Sequence, residues 1–182
     1  MRILITRPRE DSTPLAEKLK QRGHEVLVEP MLEIRLVAGA VVDLSGVQAV
    51  VFTSANGVRA FVAAEKRLDL PAFCVGDTTA AAARAAGFAR VESAAGNIEA
   101  LANLILKLLK PADGPLLHAA ASVVAGDLAG LLKKDGFELR RTVLYSAKPA
   151  TALSPLTAAA LKARQVDMVI FFSARTAETF VR

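Results

Sequence analysis

One segment of this chain is written twice. Val50-Val51-Phe52-Thr53-Ser54-Ala55-Asn56-Gly57-Val58-Arg59-Ala60-Phe61 returns as Val169-Ile170-Phe171-Phe172-Ser173-Ala174-Arg175-Thr176-Ala177-Glu178-Thr179-Phe180. Each copy is a short apolar run, a Ser, a small or polar turn, and a helix-like segment closing on Phe. A second echo supports the first: Leu15, Ala16, Leu19, Lys20 and Gly23 reappear as Leu128, Ala129, Leu132, Lys133 and Gly136. Two echoes at nearly the same spacing mean an internal duplication, which restricts the chain to two copies of one α/β unit. After Phe61 the first copy continues through Phe73-Cys74-Val75-Gly76 and further helical stretches. The second reaches Arg182 two residues after Phe180. The repeat therefore leads us to expect that about 50 residues of the second unit lie outside this chain, given ordinary domain size.

Strand and helix signals alternate along the whole sequence. An apolar run at 2–6 is followed by Asp11-Ser12-Thr13-Pro14, which supplies cap chemistry and a first-turn proline. Gly23 ends that helix and a strand follows at 25–30. Residues 31–46 read as a connector. Strands are then expected at 47–53, 72–75, 90–92, 115–118 and 138–145. The helices between them include one capped by Asp77 or Thr78 and one spanning 124–134. Lys148-Pro149 breaks the pattern, 150–155 forms a second connector, and a helix, a strand and a helix complete the chain. This alternation defines an α/β protein with parallel sheets. Because the tail is a copy, it belongs with the first 30 residues. We therefore expect a discontinuous and incomplete terminal domain of 1–35 plus 150–182, with an inserted middle domain of 36–149 that includes the connectors.

Composition excludes several functions. The chain is 53% apolar, enough for a sizeable core, and its net charge of +5 is spread along its length. No basic run with interleaved aromatics points to nucleic acid. A mild positive balance suits an anionic small molecule. A single cysteine, Cys74, supports no disulfide framework and fits a reducing, cytoplasmic setting. The N-terminal apolar run is too short for a signal peptide. No stretch approaches the ~20 apolar residues of a membrane span. Neither a dinucleotide-binding glycine motif nor a P-loop is present. Two histidines and one cysteine make no zinc cluster.

Ligands of open parallel sheets bind outside the carboxyl ends of the strands. Those ends carry Thr6-Arg7, Thr53-Ser54, Gly76-Asp77-Thr78-Thr79, Gly96-Asn97, Ala119-Ala120-Ala121-Ser122 and Ser173. Most are small or hydroxylic, and most open a helix, where free N–H groups and the dipole attract anions. The same residue types are ordinary caps. Ser54, Thr79, Asn97 and Ser173 therefore carry two readings, cap or ligand donor. Arg7, fixed before Pro8, points to a phosphate or carboxylate. His118 ends its expected strand within reach of such a site. Tyr145, the sole tyrosine, falls at the expected domain junction, either as a packed aromatic or as a phenol able to give a proton.

Taken together, Ile3-Leu4-Ile5-Thr6-Arg7-Pro8, the Val51-to-Val58 stretch, Val75-Gly76-Asp77-Thr78-Thr79-Ala80, Gly96-Asn97, Arg141-Thr142-Val143-Leu144-Tyr145 and Ile170-Phe171-Phe172-Ser173 resemble the uroporphyrinogen-III synthase family, in order and over nearly the whole chain. The resemblance implies two flavodoxin-like α/β/α domains with parallel sheets joined by a two-stranded connector. It implies cyclisation of a linear tetrapyrrole, hydroxymethylbilane, to uroporphyrinogen III. The last ring is inverted through a spiro intermediate and water is lost. No metal or organic cofactor takes part. It further implies hand-over of substrate from hydroxymethylbilane synthase. Tyr145 matches the tyrosine that assists departure of the hydroxyl, and Thr53, Ser54, Thr79 and Ser173 match substrate-bonding positions. The eight carboxylates of that substrate suit helix N-termini and a few cations. The family's last α/β segment has no counterpart after Arg182, and Ala119 to Ser122 is alanine-rich where relatives often carry Gly and Arg. Two other readings stand beside this one: a non-enzymatic two-lobed binding protein for a small anion, and an inactive truncated synthase.

Overall fold

A computed structural model describes residues 1–182. In chain order the elements are β1 (Arg2–Ile5), α1 (Arg9–Gln21), β2 (Glu25–Val28), β3 (Leu32–Leu36), β4 (Ala49–Phe52), α2 (Ala55–Ala64), β5 (Ala72–Cys74), α3 (Asp77–Ala85), β6 (Val91–Ser93), α4 (Ile98–Leu108), β7 (Leu116–Ala121), α5 (Leu128–Lys133), β8 (Leu139–Pro149), α6 (Pro155–Lys162), β9 (Met168–Ile170) and α7 (Ala174–Val181). The chain divides into two compact units, Met1–Arg35 with Ala147–Arg182, and Leu36–Ser146.

The terminal unit holds a three-stranded sheet of order β2-β1-β9, and the other sheet runs β3-β8-β7-β4-β5-β6. Pairing is parallel from β8 through β6 and throughout the smaller sheet. The duplication reappears here as identical registers. Ile3 faces Val26 as Leu116 faces Leu139, and Leu4 faces Val169 as Leu117 faces Val50. Thus β2-β1-β9 corresponds to β8-β7-β4. The terminal unit follows the opening of the flavodoxin strand order, and the middle unit is the same order entered at its third strand.

The second echo is also structural. α1 and α5 both close on a glycine in the left-handed region, Gly23 at φ 81° and Gly136 at φ 83°. In each, the glycine N–H donates to a lysine carbonyl, Lys20 at 2.9 Å and Lys133 at 3.1 Å. The next residue's N–H, from His24 or Phe137, reaches back to a leucine carbonyl. A Cβ resists that backbone conformation, so glycine stands at both stops.

Burial on both faces explains why the middle strands are continuous apolar runs. Every residue of β4 is 0% exposed. Ala49 and Val51 pack with Leu101, Ile105, Leu128, Leu132 and Phe137 from α4, α5 and their borders. Phe52 meets Phe61 and Phe88 edge-on, with ring centroids 5.7 and 5.5 Å apart. Gly57 is fixed by close approach: a Cβ there would lie 2.7 Å from the Ala119 carbonyl of β7. Cys74 is buried, which pushes its thiol pKa up to about 12 and leaves it a packing residue.

In the terminal unit a buried carboxylate holds the returning chain. Glu29, just past β2, accepts from the Ser154 amide at 3.1 Å, from Thr157 Oγ1 at 2.5 Å and from Ser154 Oγ. These groups form the N-terminus of α6, where the helix dipole favours a negative charge.

Several boundaries differ from the sequence expectation. Residues 32–36 are a paired strand within the expected connector. Val37 donates to the Leu144 carbonyl and Ala150 to that of Met31, so β3 runs antiparallel to β8. That pairing carries β8 through Lys148 to Pro149, where the break was expected; a proline at a strand end forfeits no ladder bond. β7 likewise extends to Ala121, so His118 lies inside it rather than at its end. α5 starts only at Leu128, because Gly126 turns at φ 75° and Asp127 caps the helix through the Gly130 amide. α3 is capped by Gly76 backbone alone, without Asp77 or Thr78 as N-cap.

Candidate functional site

Each sheet has a point where its winding reverses, between β1 and β9 in the terminal unit and between β4 and β7 in the middle unit. The carboxyl ends of strands at such a point are where α/β sheets hold ligands. In each unit, a side chain just past one of the two strands meets a side chain in or just past the other.

In the terminal unit these are Arg7 and Phe172. The Arg7 guanidinium lies over the Phe172 ring, 4.5 Å from its centroid. Its nearest carboxylate oxygen in the unit, on Asp11, is 3.9 Å away. Phe172 is 45% exposed, so Arg7 is a stacked cation on an open aromatic face. Such a surface suits a flat ligand bearing carboxylates. Ser173 follows directly and caps α7, accepting from the Thr176 amide at 3.2 Å.

In the middle unit the meeting is between Thr53 and His118. Thr53 Oγ1 lies 3.0 Å from His118 Nε2. His118 is 5% exposed, and its pKa is lowered to about 4, first by burial and then by the charge of Arg141. The imidazole is therefore neutral near pH 7. Arg141, the register partner of His118 on β8, donates from Nη2 to the Ala121 and Ser122 carbonyls at 2.6 and 2.7 Å. It pins the strand end of β7. The sequence places His118 near the site without its partner and gives Arg141 no role beyond its motif, because both links depend on register between β4, β7 and β8.

Ser54 caps α2 by accepting from the Asn56 amide at 3.1 Å, and Asn97 caps α4 by accepting from the Ala100 amide at 3.0 Å. Capping uses an oxygen lone pair, so the serine O–H and the Asn97 amide hydrogens remain as donors. The two readings of these residues are compatible. Thr79 sits in the first turn of α3, 6% exposed, on a helix whose start has no side-chain cap. Its place beside unclaimed amides fits an anion-facing hydroxyl.

Tyr145 lies inside β8, 6% exposed, and not at a strand end. The register shifts beside it: Ala120 faces Val143, yet Ala121 faces Tyr145. Leu144 is the extra residue, and consecutive Leu144 and Tyr145 are both buried. A bulge of this kind re-aims a side chain at a site border. The Tyr145 carbonyl accepts from the Ser122 amide at 2.8 Å, which ties it to the end of β7. No group of three or more His, Cys, Asp or Glu side chains is arranged to hold a metal ion. No helix is long and apolar enough to cross a membrane.

The fold and these strand ends define a class: two related α/β units whose switch points present hydroxyl and guanidinium donors suited to an anionic ligand. A family model described as uroporphyrinogen-III synthase HemD matches residues 13–182, and the chain belongs to that family. Over 61 residues it is 41% identical to the uroporphyrinogen-III synthase of Chlorobaculum parvum, a match spanning 33% of this chain and 25% of that protein. The crystal structure of uroporphyrinogen-III synthetase from Helicobacter pylori matches all of this chain and 78% of its own, with a TM-score of 0.66 at 20% identity. A mutant synthase from Thermus thermophilus matches 98% of this chain and 75% of its own, with a TM-score of 0.55 at 21% identity. At these identities the two structures speak to the fold.

Proposed function

We propose that the chain catalyses closure of hydroxymethylbilane to uroporphyrinogen III, acting as a cyclising hydro-lyase of tetrapyrrole biosynthesis in the cytoplasm. The observation that carries this reading is the family match over residues 13–182, joined to donors at both switch points. The substrate's terminal carbon–oxygen bond breaks and the hydroxyl leaves as water once protonated. The substituted carbon of the last pyrrole attacks the resulting cation to give the spiro intermediate. That carbon's original bond to its methylene then breaks, the methylene re-bonds at the pyrrole's free carbon, and the proton on that carbon is lost. The ring so closes with its last pyrrole inverted. Tyr145 is the proton source for the departing hydroxyl. Arg7, Thr53, Ser54, Thr79, Asn97 and Ser173 take the carboxylates. Orienting a reactive intermediate so that one carbon attacks is largely a matter of position, which explains why few classical acids and bases are required. The substrate arrives from hydroxymethylbilane synthase.

A coupled assay supplied with fresh hydroxymethylbilane tests the reading. Isomer III is expected as the main product, and formation of isomer I alone would overturn it. Tyr145→Phe should lower kcat more than it alters KM, because a proton donor acts in the transition state. An unchanged kcat would reduce Tyr145 to packing.

A further inference from the structure

We infer that His118 is a positioning residue for Thr53: its Nε2–H donates to Thr53 Oγ1, which leaves the threonine's own proton directed outward as a donor to a substrate carboxylate. The inference rests on the function proposed above and deepens it, by assigning the direction of one hydrogen bond in the middle unit.

A threonine hydroxyl has one proton and two lone pairs. Alone, it can turn its proton to any acceptor, its own backbone included. An imidazole nitrogen 3.0 Å away removes that freedom, and the tautomer decides the outcome. If Nε2 accepted, the Thr53 proton would be consumed inside the protein and only lone pairs would face outward. Those repel a carboxylate. If Nε2–H donates, the hydroxyl keeps its proton for the ligand.

One observation favours the donating tautomer. Thr53 is the hydrogen-bond partner the protein offers this ring, so a proton on Nε2 has a protein acceptor and one on Nδ1 would have only water. Nδ1 is not an enclosed unpartnered atom, so it reaches solvent, where its lone pair is free to accept from water. The ring is also held neutral by its burial and by Arg141, so one nitrogen carries a proton and the other does not. The place is right as well, since Thr53 directly follows β4 and His118 lies in β7, the two strands that flank the switch point. The equivalent of His118 in the duplicated strand is Ile5, so the imidazole is particular to the middle unit.

The pair can be tested without turnover. Long-range nitrogen–proton correlation NMR on nitrogen-15-labelled protein near pH 7 should show His118 as the neutral Nε2–H form. The Nδ1–H form or an imidazolium would overturn the proposal. In the isomer-III assay, His118→Leu should raise KM about tenfold with kcat within about twofold, the size of one lost hydrogen bond to a charged group. His118→Gln, whose amide keeps a donor at similar reach, should restore most of that loss. Thr53→Val should match His118→Leu, and the double variant should be no worse than either. A wild-type KM in His118→Leu, a loss in kcat alone, or fully additive effects would overturn the positioning role. An inactive wild type would refute the proposed function and leave the NMR result to judge the pair.

Discussion

The segments β4–α2 and β9–α7 begin from one sequence pattern and end in different environments. Both run strand, Ser cap, helix, with nearly equal cap dihedrals: φ −161° and ψ 148° at Ser54, φ −158° and ψ 154° at Ser173. Both place two phenylalanines edge-on, Phe52 with Phe61 at 5.7 Å and Phe171 with Phe180 at 5.4 Å. Yet Phe52 and Phe61 are 0% exposed while Phe171 is 38% exposed. β4 is paired on both sides, by β5 and β7, and Phe88 closes over its ring pair. β9 is the edge of its sheet, paired with β1 alone. The lesson is that a shared local pattern sets local geometry, while burial is supplied by neighbours from elsewhere in the chain.

Truncating the equivalent rings tests this most strongly. Phe61→Ala should cost about 3–5 kcal/mol, as deletion of a fully buried ring does, and Phe180→Ala roughly 1–2 kcal/mol. Denaturant midpoints with unchanged slopes would measure both. Equal losses would break the comparison.

Acid should separate the units next. The folded pKa of His118 is about 4 against 6.5 for the free side chain. Between those values the unfolded chain takes a proton that the folded one refuses. Stability is therefore full above about 6.5 and is lost as pH falls towards 4, by about 1.4 kcal/mol per pH unit for one group. Urea unfolding of wild type and His118→Leu from pH 7 to 4 should show a steeper decline in the wild type. Parallel declines would remove His118 as the cause.

Gly57 offers a smaller test. Its Cβ would meet the Ala119 carbonyl, whereas the duplicated position holds Thr176, which is accommodated and buried. Gly57→Ala should lower stability by about 1–3 kcal/mol through overpacking against backbone. A neutral result would show that α2 shifts freely against β7.

The caps should show the smallest effect and the greatest equality. Ser54→Ala and Ser173→Ala are each expected to cost about 1 kcal/mol, since each loses one bond to a helix amide. A large inequality between them would mean that surroundings govern even the cap, sharpening the contrast in an unexpected direction.

What the sequence determined by itself was the duplication, the alternation of strands and helices, the Ser and Asn caps and the glycine stops. All of these arise within one turn or one strand, from residues adjacent in the chain. The strand ends bearing Arg7, Thr53, Ser54, Thr79, Asn97 and Ser173 were legible for the same reason. Only the tertiary structure decided that β8 bulges beside Tyr145, that Arg7 stacks on Phe172, and that Thr53 meets a neutral His118. Each of these depends on the register between segments separated by tens of residues or more. Such a register is set by packing of whole sheets, and a shift of one residue would turn the side chain to the other face.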